Sequence, residues 1–334
     1  MTDRWGITFP LEGLSLPEHR DVLREAEEIG YTDAWTAEVN AHDAFVPLAA
    51  AAAWTNLRLG TAIANIYTRT PTLIAQTAAA MAELAPGRFC LGLGTSSPAI
   101  VENWHGVRLE RPLERMRETI RFLRQAFTGE KTVVRNRWFD VKGFRLGRAP
   151  ALPPPIFVAA LRPKMLELGG EMAEGVITNY ISPEDAPKVA APAREAARRA
   201  GKDPARLDVA CRIFVIATED ADVAQMIGRL VVSAYLTTPF YYAFHRWLGR
   251  GDQLAPMMAA WQAGERQQAA GLVPRRVVEE IFVFGSPQQC REKVEAYREN
   301  GITTPILNII PTARDPQGQK EQSLAWLRAL APRR

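Results

Sequence analysis

Short apolar runs alternate with amphipathic stretches along this chain, and the alternation is regular enough to assign elements. Trp5–Phe9, Asp33–Ala37, Arg58–Ala64, Arg88–Leu93, Ile156–Ala160, Gly175–Asn179, Leu207–Ala217 and Pro305–Ile310 read as strands. Between them Pro17–Ile29, Phe45–Trp54, Pro71–Leu84, Pro112–Phe127, Pro163–Ala173 and Glu184–Ala200 read as helices, joined later by Pro287–Asn300 and Gln319–Leu330. Met116, Ile120, Leu123 and Phe127 recur at helical spacing, and Ser286-Pro287 is an N-cap followed by a first-turn proline. Strand–helix alternation of this kind predicts βα units on a parallel sheet, and eight of them predict an α/β fold, the (β/α)8 TIM barrel. Two stretches break the rhythm. Residues 131–146 read as a small hairpin, and the aromatic-rich 236–275 as an insertion after strand 7 that lines a substrate pocket. No linker or repeat divides the chain, so residues 1–334 are expected to be a single domain.

Composition narrows the class. With 334 residues, 47% of them hydrophobic, the chain can fill a barrel of this kind. Net charge is +4, but both signs are scattered, which predicts a solvated surface and no nucleic-acid partner. Cys90, Cys211 and Cys290 are too far apart for a C-x-x-C pair and read as reduced thiols. The start MTDRWGITFPLEG has no signal pattern, and no apolar run is long enough to span a bilayer. These features predict a cytoplasmic protein with no membrane partner. Four histidines in no H-x-x-x-H or H-x-H arrangement predict no bound metal.

In a barrel the chemistry belongs to the loops after the strands. Those loops are Pro10–Gly13, Glu38–Asp43, Asn65–Arg69, Gly94–Ser97, Ala160–Lys164 and Asn179–Tyr180, rich in hydrogen-bonding groups. P-loop, G-x-S-x-G and Rossmann fingerprints are absent from the sequence. Small residues at Gly92, Gly94, Ala159 and Ala160 leave backbone amides available to a phosphate. Glu38 reads either as a salt-bridged rim carboxylate or as a ring contact and general acid. Glu12 is a second acid or a solvated loop residue; Asn40 and Asn65 are ligands or turn caps. Arg69 reads as an ion-pair partner at a helix start. His42 and His245 read as polar rim residues or proton carriers. Tyr241, Tyr242, Phe244 and Trp247 either pack the insertion or form an apolar lid over an organic substrate.

The phrases AWTAEVN, LGTAIANIYTRTP, GRFCLGLGTSS, PPPIFVAALRPKMLELGGEMAEGVITN and EIFVFGSPQQCREKVEAYRENGI closely resemble the bacterial luciferase-like superfamily over nearly the whole chain. TAEVN and N-x-Y-T-R-T-P are more similar to its coenzyme F420 branch than to its FMN monooxygenases. The resemblance implies a homodimeric TIM barrel with the deazaflavin in the barrel mouth, and a non-proline cis peptide at Ala62-Ile63. It places Asn65 and Glu38 at the ring edge, and Gly94, Thr95, Ser96, Ala160, Leu161 and Arg162 along the phosphate and tail, with Lys164 adding charge. Substrate-pocket positions are Asn179, Tyr180, Tyr242, His245 and Trp247, and catalytic ones Glu38, Asn40 and Glu12. Val39 stands where related sugar-phosphate and alcohol dehydrogenases carry histidine, Asp43 where they carry tryptophan, and Ser97 where they carry a glutamate proton donor. The chain therefore looks more like the methylene-tetrahydromethanopterin reductase-like group. The expected activity is F420-dependent hydride transfer to a small organic substrate, most simply as a reductase. An FMN-dependent monooxygenase and a non-catalytic flavin-type ligand-binding barrel are the alternatives.

Overall fold

A computed structural model describes residues 3–332. The strands are β1 (Gly6–Thr8), β2 (Asp33–Thr36), β3 (Arg58–Thr61), β4 (Ala64–Asn65), β5 (Phe89–Gly94), β6 (Thr132–Arg135), β7 (Asp140–Phe144), β8 (Ile156–Ala159), β9 (Gly175–Asn179), β10 (Asp208–Ile216) and β11 (Thr304–Ile310). The helices are α1 (His19–Glu28), α2 (Val46–Trp54), α3 (Pro71–Leu84), α4 (Pro112–Ala126), α5 (Pro163–Met172), α6 (Ala186–Arg199) and α7 (Ala221–Tyr235). After them come α8 (Pro239–Leu248), α9 (Gly251–Gln262), α10 (Arg266–Gly271), α11 (Arg275–Ile281), α12 (Pro287–Glu299) and α13 (Pro316–Ala329). The sheet runs β3-β2-β1-β11-β10-β9-β8-β5-β4 and returns to its start through a β3–β5 pairing, with β4 continuing the third strand. This is the (β/α)8 barrel. β6 and β7 form a separate antiparallel hairpin, as residues 131–146 predict.

By internal contacts the chain divides into two compact units. One holds the segment ending at Tyr31, Thr178–Ala191 and the residues from Val209 on; the other holds Thr32–Ile177 and Pro192–Asp208. In the second unit, glycine sets how closely strands and side chains approach. A methyl on Gly60 would overlap the Trp35 ring, and one on Gly92 would overlap the Thr61 carbonyl. Thr61 Oγ1 instead accepts from the Gly92 amide at 2.9 Å and donates to its carbonyl at 2.7 Å, locking β3 to β5 just before the chain bulges. At the strand starts Arg58 pairs with Asp33 and, at 2.8 Å, with Asp208, and its guanidinium lies 5.5 Å from the Trp35 ring.

In the first unit the stretch 236–275 is helical. α9 and α10 bring Leu254, Met257, Ala260 and Ala269 onto a cluster with Val232, Phe214 and Phe282, and α8 packs Tyr241 and Tyr242 against it. The polar and aromatic residues between these contacts hide the helical period in the sequence. α7, over a stretch to which the hydrophobic pattern gives no element, is started by Asp220, whose carboxylate accepts from the amides of Asp222 and Val223. Ser286 and Gln289 form the capping box of α12, with Pro287 at its first position. The last helix is tied to the chain's first strand region: the Trp5 indole N–H donates to the Leu330 carbonyl at 3.0 Å, and the Tyr31 hydroxyl to that of Leu327 at 2.8 Å. The three cysteines are free and buried, and burial pushes the Cys290 thiol up to about 12. Among the described residues no helix is long and apolar enough to cross a membrane.

Candidate functional site

The third strand stops at Thr61 and resumes at Ala64 because the chain turns aside at Ala62-Ile63, whose peptide is cis. β4 then pairs with β5, Asn65 opposite Gly94. A side chain on residue 94 would overlap Ile63, so glycine there lets the isoleucine lie against the strand end. The Ile66 amide donates to the Gly94 carbonyl at 3.0 Å and fixes the following turn.

Glu38 organises this rim. Its Oε2 accepts from the Asn65 amide at 3.1 Å, and its Oε1 from Arg69 Nη2 at 2.5 Å and Nε at 3.1 Å. Arg69 Nη2 also reaches Asp43 Oδ2 at 3.0 Å, and its guanidinium sits 5.0 Å from the Phe45 ring. Burial alone would lower the Arg69 pKa, but its hydrogen bonds to Glu38 and Asp43 outweigh that and raise it. The Glu38 and Arg69 side chains are 17% and 16% exposed, while Asp43 is 39% exposed and also accepts from the amides of Phe45 and Val46 at the start of α2. The ion pair expected of Arg69 therefore forms, and it forms with Glu38.

Asn65 is buried, its Oδ1 taken by the Tyr67 amide at 2.8 Å, which leaves its NH2 as the group that can meet a ligand. In the next loop, Thr95, Ser96 and Ser97 are partly exposed; Ser96 is held at φ 57°, uncommon for a residue other than glycine. Ser97 caps a π-helical turn at Ala99–Trp104: its carbonyl accepts from Ile100 and Val101 and its hydroxyl lies 3.4 Å from the Ile100 amide.

After β8 the Ala160 amide donates to the Ile177 carbonyl at 2.9 Å, so it is a sheet donor and not a phosphate donor. Leu161 is partly buried. Arg162 is the N-cap of α5 and Lys164 lies in its first turn; both are exposed, and neither meets a carboxylate among the described residues. Two unpaired cations at a helix start favour an anion. Glu12 and Asn40 carry exposed side chains, and His42 is exposed as well.

The substrate-pocket expectations need correction. His245 is fully buried, neither ring nitrogen has a partner, and burial, helped by the Arg250 charge, pushes its pKa down to about 3. It is a neutral interior group. Trp247 stacks on Phe244, and its carbonyl accepts from Lys188 Nζ at 2.5 Å. Tyr242 packs against the apolar cluster, and its neighbour Tyr241 is the one that meets Asn179, hydroxyl to amide at 2.9–3.0 Å. Tyr180, at φ 52°, stacks on Phe214 with ring centroids 4.2 Å apart. Sequence reasoning passed over Arg212 and Asn308, which pair at 2.7 Å within this first unit. The available signal was a lone charged residue inside the apolar run CRIFVI. Among the described residues no three His, Cys, Asp or Glu side chains are grouped to hold a metal.

Comparison with known proteins adds a relationship. The family model described as luciferase-like monooxygenase matches residues 7–304. The chain is 28% identical over 332 residues to a putative coenzyme F420-dependent oxidoreductase of Mycobacterium tuberculosis, covering 90% of this chain and 94% of that one. It is 28% identical over 281 residues to a 5,10-methylenetetrahydromethanopterin reductase of Methanolobus tindarius, covering 83% and 86%. The solved coenzyme F420 dependent tetrahydromethanopterin reductase of Methanopyrus kandleri superposes with a TM-score of 0.77 at 22% identity, covering 98% of each chain. That last likeness is one of fold.

Proposed function

The chain belongs to the luciferase-like monooxygenase family, and from that premise we propose a coenzyme F420-dependent oxidoreductase that transfers a hydride between the deazaflavin C5 and an organic substrate, acting as a reductase. The curated relatives named for F420 or for methylenetetrahydromethanopterin reduction support the cofactor. The observation that carries the reading is the donor set of the second unit. Arg162 and Lys164 stand unpaired beside β8, suited to an anionic tail, and Asn65 keeps its amide NH2 available at the end of β4. These residues fit F420, with Thr95 and Ser96 adding hydroxyls and Ile63 an apolar wall over Gly94.

Bound F420 supplies the two-electron chemistry. The protein supplies position. Asn65 offers a donor to the ring edge, and Glu38, clamped by Arg69, holds the Asn65 backbone so that this donor is fixed. The exposed Glu12 and Asn40 are the side chains assigned to delivering or orienting the accompanying proton. Parallel fluorescence titrations with F420 and with FMN test the reading: F420 is expected to bind more tightly. Preference for FMN, together with oxygen-dependent turnover, would replace it with the monooxygenase reading that the family's description favours. We carry a homodimer with this proposal because Leu73 and Leu84 of α3 are 45% and 50% exposed. A monomer mass by sedimentation removes the dimer.

A further inference from the structure

Arg212 lies inside β10, in a run of otherwise apolar residues, and its surroundings differ from those of every other enclosed arginine described above. Nη2 donates to Asn308 Oδ1 at 2.7 Å, the guanidinium carbon lies 5.4 Å from the Phe214 ring centroid, and the enclosed Nε has no partner among the described residues. The titratable groups facing it are the phenols of Tyr180, Tyr241 and Tyr235 and the thiol of Cys211. Arg58 is paired with Asp33 and Asp208, and Arg250 with Asp185 and Glu280. No described carboxylate pairs with Arg212. Burial lowers its pKa, yet a guanidinium stays protonated in proteins, so a positive charge remains without a counter-charge. Such a charge is unfavourable unless something completes it.

Two further facts point to a ligand. Arg212 is enclosed at Nε yet keeps part of its surface open to solvent. Tyr180 of the same cluster is held in the left-handed region at φ 52°, a conformation a bulky residue keeps only where its surroundings impose it, and one that gathers at ligand sites. It stacks on Phe214 and meets Tyr241 edge-on at 5.5 Å, while Asn179 and Tyr241 exchange hydrogen bonds beside it.

We propose that Arg212, oriented by Asn308 and enclosed by Tyr180, Tyr235 and Tyr241, binds the carboxylate of a monoanionic organic substrate. The guanidinium fork matches a carboxylate in shape and in charge. Burial raises the Tyr180 and Tyr241 phenol pKa values, so both stay neutral and add no repulsion. A dianionic phosphate would need a second cation, and the groups facing Arg212 include none. The aromatic walls suit an apolar or flat substrate body. That the ligand is a substrate rests on the oxidoreductase reading; that it binds does not.

Calorimetric titration of the whole, cofactor-free protein with benzoate, 3-phenylpropionate, benzamide and phenyl phosphate tests this. At least one carboxylate is expected to bind saturably, with benzamide and phenyl phosphate weaker by about tenfold or more. Arg212→Leu is expected to lose that binding and, relieved of an uncompensated charge, to melt at a higher temperature than the ligand-free parent. Asn308→Ala, which keeps the charge but frees its fork, is expected to weaken binding with a smaller effect. Should Arg212→Leu fail to fold, Arg212→Lys serves, retaining charge without the fork and binding more weakly than the parent. Absence of binding by both carboxylates, equal binding of benzoate and benzamide, tighter binding of phenyl phosphate, or a variant that loses stability and keeps affinity each overturns the proposal. A protein that binds a carboxylate but not F420 keeps this site and loses the oxidoreductase reading.

Discussion

Two arginine–carboxylate clusters sit at opposite ends of the same strands. At the starts of β2 and β3, Arg58 joins Asp33, whose side chain has no exposure, to Asp208. Beyond the ends of β2 and β4, Arg69 joins Glu38 to Asp43, which stays 39% exposed. The chemistry is the same and the surroundings are not. In the first cluster Asp33 is wholly enclosed and Arg58 lies against Trp35, so its ion pairs hold strand starts in place. The second has Asp43 open to solvent and passes its order on, through the Glu38 contact to the Asn65 amide, to a residue that the proposed function places at the cofactor. In barrels the start of the strands serves stability and their end serves function; here the same three-residue device stands at both ends, and the proposed function gives the two different work.

Five substitutions break or sharpen that contrast. Arg58→Leu removes the cation that pairs with the buried Asp33 and is expected to cost about 3–5 kcal/mol in urea unfolding, leaving the F420 affinity of the folded protein unchanged. A loss below about 1 kcal/mol would show the sealed cluster to be no more structural than a surface pair. Next in size is Gly94→Ala, whose methyl overlaps Ile63: crowding is expected to cost about 1–3 kcal/mol and to weaken F420 by displacing the isoleucine. Glu38→Gln keeps the shape and drops the charge, so stability should fall by only about 1 kcal/mol while F420 affinity falls by about tenfold, a loss that the corresponding charge removal at the sealed end should not produce. Unchanged affinity and turnover would remove Glu38 from the site. Smallest in stability is the pair Arg162→Ala and Lys164→Ala, expected within about 0.5 kcal/mol of the parent. Their F420 affinity should drop more at low than at high salt, because exposed charges are screened.

Much of this arrangement is legible before folding. The strands are apolar runs, and the loops after them stand out because Glu38, Asn65 and Arg162 interrupt those runs at regular places. What escapes the sequence depends on closure in three dimensions. Asp33, Arg58 and Asp208 are far apart along the chain and meet only when their strands start at the same level. Glu38 reads equally well as an acid or as an ion-pair partner until Arg69 is seen across it. His245, in an aromatic stretch, has the composition of a pocket residue and the burial of a core residue. α7 to α10 face an apolar cluster with scattered residues, so no short periodic run announces them.

The bond from the Trp5 indole to the Leu330 carbonyl spans 325 positions. During synthesis the first strand region is made long before the acceptor that meets its indole N–H. Contacts of such long range slow folding, because the chain must first find its own ends. Until Leu327 and Leu330 are made, the nascent chain holds the Trp5 indole and the Tyr31 hydroxyl without these two acceptors.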